Sequence, residues 1–204
     1  MKFSRLIALA VLVTLLDLAG CASPQSRQPA PVIEPGSPML PGETSSPFPP
    51  RPAELRIDGI NPCNLLTPNQ TTSLRVSVFE GYPKPVAPGV MQCSWIGNGF
   101  TLKNWIAQLI SNRGITPTIS SAAAVQTIQI DGFTTLQGSS PLSDGKSDCV
   151  QLIDIAQGQS LLASYNDPEL TKDGIDHHQL TCEMDSKFST EVIQNLRTMT
   201  HTGG

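Results

Sequence analysis

Five cysteines carry most of the chemistry that this sequence offers. Cys21 ends the stretch Leu18-Ala19-Gly20-Cys21, which has the form of a lipobox. Before it stand a basic start with Lys2 and Arg5 and a run from Leu6 to Leu16 that is apolar apart from Thr14. Such a run is an export signal rather than a spanning helix, which needs about 20 residues. The pattern predicts a signal peptide over residues 1–20, cleavage before Cys21, and a diacylglyceryl thioether on its sulfur, with acyl chains of the palmitate class. Two acyl chains hold a protein to a membrane durably, where one does not. The expected address is the outer face of the cytoplasmic membrane, in a lipid-anchored, extracytoplasmic state.

The other four, Cys63, Cys93, Cys149 and Cys182, make an even set in a chain expected to be exported, which argues for two disulfides. Four cysteines allow three pairings. Sequential pairing closes two loops of similar length, each contributing about 3–4 kcal/mol by the chain-entropy argument. A four-cysteine zinc site is disfavoured, because no two cysteines have the short spacing that such sites use.

Further candidates for chemistry are few. His177-His178 is the one histidine pair, with Asp173 and Asp176 nearby, but spacing supplies no third metal ligand. A solvated polar loop is the better reading. Ser160 follows Gly158-Gln159, yet no second glycine completes a nucleophile elbow. Glu183 and Asp185 read as carboxylates at the positive end of a helix. Trp95 and Trp105 read as core residues rather than a sugar platform. No catalytic, cofactor-binding or metal site is assigned, and the chain is not read as an enzyme.

Composition narrows the partners. Loss of residues 1–20 would remove Lys2, Arg5 and Asp17 and move the formal net charge from −4 to −5. No basic stripe interleaved with aromatics remains, so nucleic acid is not an expected partner. From Ala22 to Ala53 the chain holds ten of its 18 prolines. That composition predicts an extended spacer, part of a tether over 21–53. A single domain is expected over 54–199, followed by a flexible tail at 200–204.

The elements that must position these residues read as α+β. Thr67 and Pro68 suit the cap and first residue of a short helix ending near Leu74. Phe79 to Pro88 is rich in turn formers, and Val90 to Ile96 alternates as a strand does. Asn98-Gly99 signals a hairpin. Residues 100–111 fit a helix or a strand by period, and the hairpin signal favours a strand. Strands are also expected at Thr127–Ile130 and Phe133–Leu136 about Asp131-Gly132, then at Cys149–Ile155 and Ser160–Tyr165. Asn166 to Gln179 reads as a long acidic loop. Glu183 to Met199 is the strongest helical pattern, with Met184, Phe188, Val192 and Leu196 every four residues. The expectation is an antiparallel sheet with this helix across one face, each cysteine pair stapling a helical segment to a strand.

Taken in order, Asn61-Pro62-Cys63 with Leu65-Leu66-Thr67, Cys93-Ser94-Trp95, the strand opened by Cys149, Gly158-Gln159-Ser160-Leu161 and Cys182-Glu183 resemble an actinobacterial lipoprotein family. It is a domain of unknown function found among mycobacterial Lpr- and Lpq-type lipoproteins, and its members more often carry an acidic residue where Asn61 stands. The resemblance covers Ile60 to about Met199 together with the lipobox. It implies a cell-envelope lipoprotein and no established activity. A non-catalytic binding or adaptor module is the leading expectation, contacting another envelope protein. A carrier of a small apolar or lipidic ligand is second and an envelope hydrolase last.

Overall fold

In a computed structural model, residues 48–79, 81–99, 102–115, 125–140 and 146–201 are described. The signal segment, Cys21, the tether up to residue 47 and the end of the tail lie outside these residues.

A single turn of 3-10 helix at Pro62–Asn64 opens the domain, with Asn61 Oδ1 accepting from Cys63 N at 2.8 Å. Asn61 thus caps the turn as an acidic residue would. Helix α1 spans Pro68–Leu74 and is capped as expected. Thr67 Oγ1 accepts from Gln70 N, and Gln70 Oε1 accepts from Thr67 N, a reciprocal capping box.

Eight strands follow: β1 Val76–Val78, β2 Lys84–Ala87, β3 Val90–Gly97, β4 Asn104–Ile110, β5 Gln126–Ile130, β6 Phe133–Gly138, β7 Asp148–Ala156 and β8 Gln159–Asn166. They form one antiparallel sheet in the order β1-β3-β4-β8-β7-β6-β5, with β2 also paired to β3. Helix α2, His178–His201, lies across one face. The α+β expectation and the antiparallel sheet are therefore met, and residues 104–110 are a strand.

Register divides the side chains cleanly. Trp95, Trp105, Tyr165 and Cys149 are cross-strand neighbours in one row. Cys93, Ala107, Ala163 and Gln151 make the next row on that face. These rows meet α2, whose Phe188, Val192, Ile193 and Leu196 are fully buried. Trp95 meets Phe188 edge-on at 5.5 Å between ring centroids. The alternate residues form the helix-free face. Part of that face is closed by a second cluster, Val90, Ile110, Ile115, Leu136 and Leu152, on which Phe48 packs.

Both disulfides form in sequential pairing, Cys63–Cys93 and Cys149–Cys182. The first ties the 3-10 turn to β3 and the second ties α2 to β7, as the stapling argument requires.

Four details depart from the sequence reading. Phe79–Pro88 is not all turn, because β2 lies within it, and β1 precedes it. Asn98-Gly99 does not make a two-residue hairpin; Ile96 faces Asn104, so a six-residue loop joins β3 to β4, with Gly99 at φ +85°. The acidic loop is shorter than expected, since a 3-10 turn occupies Leu170–Asp173 and α2 begins at His178 rather than Glu183. The packed chain also reaches back ahead of Glu54. Leu55 N donates to Ile155 O at 2.8 Å, and Arg51 pairs with Asp154 at 2.8 Å. This strap covers the end of β7 that β6, whose register stops at Ile153, leaves open.

Replacing Cys149 and Cys182 together by serine is expected to lower unfolding free energy by about 3 kcal/mol. Urea titration of the oxidised protein against the variant checks this, and an unchanged midpoint would mean that α2 holds its place without the covalent tie.

Candidate functional site

The residues with candidate chemistry are distributed along β7, β8 and the start of α2. Asp154 and Ser160 face each other across β7 and β8. Each is already engaged: Asp154 with Arg51, and Ser160 Oγ donating to Arg113 O at 2.9 Å. His178 lies at the far end of β7, its Nδ1 2.9 Å from Asp148 O. Six residues separate Asp148 from Asp154, about 20 Å of strand. The fold therefore does not bring Ser160 and Asp154 together with His178.

His178 is instead part of the join between α2 and the sheet. Its Nδ1 also lies 3.2 Å from Ser139 Oγ, and its Nε2 lies 3.5 Å from Cys182 Sγ. The last contact follows from helical spacing, which stacks residues four apart. An open cleft of about 640 Å³ adjoins it, lined among others by Gln126, Gln137, His178, Glu183 and Lys187. No group of three or more histidine, cysteine, aspartate or glutamate side chains is arranged for a metal among the described residues.

The buried polar groups beneath α2 are of two kinds. Gln151 is satisfied at both ends of its amide. Its Nε2 donates to Gln137 Oε1 at 2.9 Å and Ser186 Oγ at 2.8 Å, and its Oε1 accepts from Ser189 Oγ at 2.8 Å. Asp185 is fully buried and neither carboxyl oxygen has a hydrogen-bond partner. Burial pushes its carboxyl well above the usual carboxylate range. The helix-end reading of Asp185 is thus overturned: α2 starts seven residues earlier, and Asp185 lies on the helix's inward face.

The helix-free face offers a different kind of surface. Asn104, Ile106, Gln108, Val150, Leu162 and Ser164 line an open groove of about 530 Å³. All six are half-buried. Beside it, Gln108 Nε2 donates to Gln92 Oε1 at 2.8 Å, and Gln92 Nε2 to Ser94 Oγ at 3.1 Å. Phe79 and Tyr82 line an adjoining hollow with Gln92 and Ser94 and are 48% and 59% exposed. Ile96, on the same face, is 37% exposed. Apolar side chains beside an amide ladder make a surface suited to protein contact.

A family described as protein of unknown function (DUF3558) matches residues 16–195, a span that contains Cys21 and all four domain cysteines. The chain belongs to DUF3558. No curated protein and no solved structure matches it.

Within this DUF3558 domain, three features escape the sequence reading. The first is the Gln151 network, for which a lone glutamine in a strand gives no signal. The second is the ring Tyr165–Asp167–Lys103, in which Tyr165 O–H donates to Asp167 Oδ2 at 3.1 Å and Lys103 Nζ lies 3.2 Å from the same oxygen. The third is Asp185, and here a signal existed. Residues 185, 188, 189 and 192 share one helix face, so the period of the apolar residues placed the carboxyl inside.

Two outcomes follow from this chemistry. Burial raises the Asp185 carboxyl in the folded domain well above the ordinary value of 3.8 that it has in the unfolded chain. Folding therefore takes up a proton, and stability from this group is full below that value and is lost as pH rises through the folded value. Asp185→Asn is expected to flatten that decline, so that its stability relative to wild type improves with rising pH; unfolding curves from acid to neutral pH check the slope. Separately, Arg51→Ala leaves Asp154, only 8% exposed, without its cation. A loss of about 2 kcal/mol is expected in urea unfolding, with part recovered by adding Asp154→Asn.

Proposed function

We propose that this DUF3558 chain is a non-catalytic binding or adaptor module of an actinobacterial cell envelope, of the mycobacterial Lpr/Lpq type, held to the membrane by lipid on Cys21. The observation that carries the reading is the helix-free face, where Ile106, Val150 and Leu162 lie in an open groove flanked by exposed Phe79, Tyr82 and Ile96. Partly exposed apolar side chains ordered by neighbouring amides suit a protein partner better than solvent.

The two other readings have less behind them. A lipid carrier would need an internal space of several hundred Å³ between sheet and helix. That layer is occupied by Trp95, Phe188, Val192, Ile193 and Leu196. A hydrolase would need its polar groups convergent, and His178, at Asp148, lies at the other end of β7 from the facing pair Asp154 and Ser160.

The lipobox sequence and the family match that spans it support the anchor. Among the described residues no helix is long and apolar enough to cross a membrane. Cys21→Ser is expected to move the protein from the membrane pellet to the soluble or secreted fraction, and continued pelleting in high salt would overturn the anchor. For the adaptor role, a photo-crosslinker at position 106 or 82 in intact cells is expected to trap a distinct partner, and one at Lys187 on α2 is not. The adduct formed from position 82 should vanish with Ile106→Arg. Adducts of equal yield from both faces would sink the reading.

A further inference from the structure

The sheet ends differently at its two sides. On one side stand β1, three residues long, and β2, which carries Lys84 and Pro85 and shifts register between Pro85 and Ala87. Short length, charge, proline and bulges are the devices that keep an edge strand from pairing with a foreign chain. On the other side stands β5, Gln126-Thr127-Ile128-Gln129-Ile130. It is of ordinary length, carries no charge and no proline, and pairs with β6 in unbroken register. Among the described residues nothing pairs with its outer side.

The turn after β5 fixes which backbone groups face outward. Ile130 and Phe133 flank the two-residue turn Asp131-Gly132, both at positive φ, so they exchange hydrogen bonds with each other. Alternation then turns the N–H and C=O of Gln126 and Ile128 towards β6, and those of Thr127 and Gln129 away from it. Thr127 and Gln129 are exposed. The side chains alternate too: half-buried Ile128 packs against the core on the helix side, and Thr127 and Gln129 lie on the other face.

One antiparallel register uses all of these outward groups at once. It sets Ile128 opposite Ile128 of a second copy, with Thr127 of each chain opposite Gln129 of the other. Each Thr127–Gln129 pair exchanges both of its N–H···O=C bonds, and the two isoleucines meet between them on the helix side. The same register places the second copy's Asp131-Gly132 turn just beyond Gln126, at the open cleft of about 640 Å³ that Gln126, Glu183 and Lys187 line. The charges match there. The turn brings Asp131 with Arg197 paired to it at 2.9 Å, and the cleft offers Lys187 and Glu183. The strand itself is neutral, so a chain of formal net charge −4 meets no like charge along it.

We propose that β5 is a self-association edge, at which two copies of this chain pair antiparallel about Ile128 and join their sheets into one. The contact is isologous, because each copy offers the other the same strand, turn and cleft. One strand and one turn make a small contact, so the dimer is a weak one in solution. The edge is separate from the helix-free groove and does not depend on the adaptor reading.

The test uses the exported protein carrying Cys21→Ser, which has no acyl chains, in sedimentation equilibrium and in amide hydrogen exchange read by NMR. The expected result is a monomer at about 10 µM and a rising dimer fraction towards about 1 mM. Over that range the amides of Thr127 and Gln129 should gain protection, while those of Gln126, Ile128 and Ile130 are protected throughout. Thr127→Lys brings two lysines together across the two-fold axis and should weaken the dimer by about tenfold. Gln129→Lys gives a second reading should that variant fold poorly. Adding Gln129→Glu to Thr127→Lys sets lysine opposite glutamate in both pairs and should restore the dimer. A monomer at every concentration, an undiminished dimer in a folded lysine variant, no recovery in the double variant, or protection gained elsewhere than at Thr127 and Gln129 would each overturn the proposal. Crosslinking from position 82 should be unchanged in Thr127→Lys, and an adduct of twice the chain's own mass is a second copy rather than a distinct partner. The edge and the adaptor face therefore fail separately.

Discussion

The Cys149–Cys182 bond fixes the second turn of α2 to the first residues of β7, and the remainder of the domain follows from that contact. A helix tied there at one end has one sheet face to run across, and its buried residues choose the path. Phe188 reaches Trp95 on β3, which the Cys63–Cys93 bond holds to the 3-10 turn two residues away. Asn195 Nδ2, further along, donates to Leu65 O at 2.8 Å and so joins the helix to the segment before α1. The two covalent ties thus stand on either side of one aromatic contact. They commit one face of the sheet to the core and leave part of the other open.

Two polar side chains under α2 show how differently a fold can treat buried polarity. Gln151 and its serine partners form a closed set of hydrogen bonds, which sets the helix's rotation and its height above β7. A closed polar set of that kind adds specificity at small cost. Asp185, beside Ser186 and one turn before Ser189, has no hydrogen-bond partner, and burial pushes its carboxyl well above the usual range. The Arg51–Asp154 pair lies between these extremes, partly shielded from water and strongest in the geometry that the strap provides.

Much of this architecture was legible from local pattern. Capping chemistry placed the start of α1, alternation found β3, an apolar run and its return after a turn found β7 and β8, and the four-residue period found α2. Asp131-Gly132 made the tight turn that its sequence asks for, with both residues at positive φ and Gly132 closely faced by Pro52. What was missed depends on tertiary partners. β2 contains Pro85, is flanked by Pro83 and Pro88, and becomes a strand because β3 offers it an edge. The first turn of α2 contains His178 and Thr181, neither a strong helix former, and is held by the disulfide and by Thr181 N donating to His177 O.

The strap at the start of the domain gives the molecule a mechanical polarity. A pull exerted from before residue 48 enters through Phe48, the Arg51–Asp154 pair and the backbone bond from Leu55 to Ile155. The hydrogen bond that Ile57 N donates to Gln159 Oε1 takes up the next share. These links engage the end of the β7–β8 hairpin in the middle of the sheet, so tension spreads into β7 and β8. The disulfides and α2 lie off that route. The domain can therefore be held taut from its amino-terminal side while its aromatic core and its open face keep their shape.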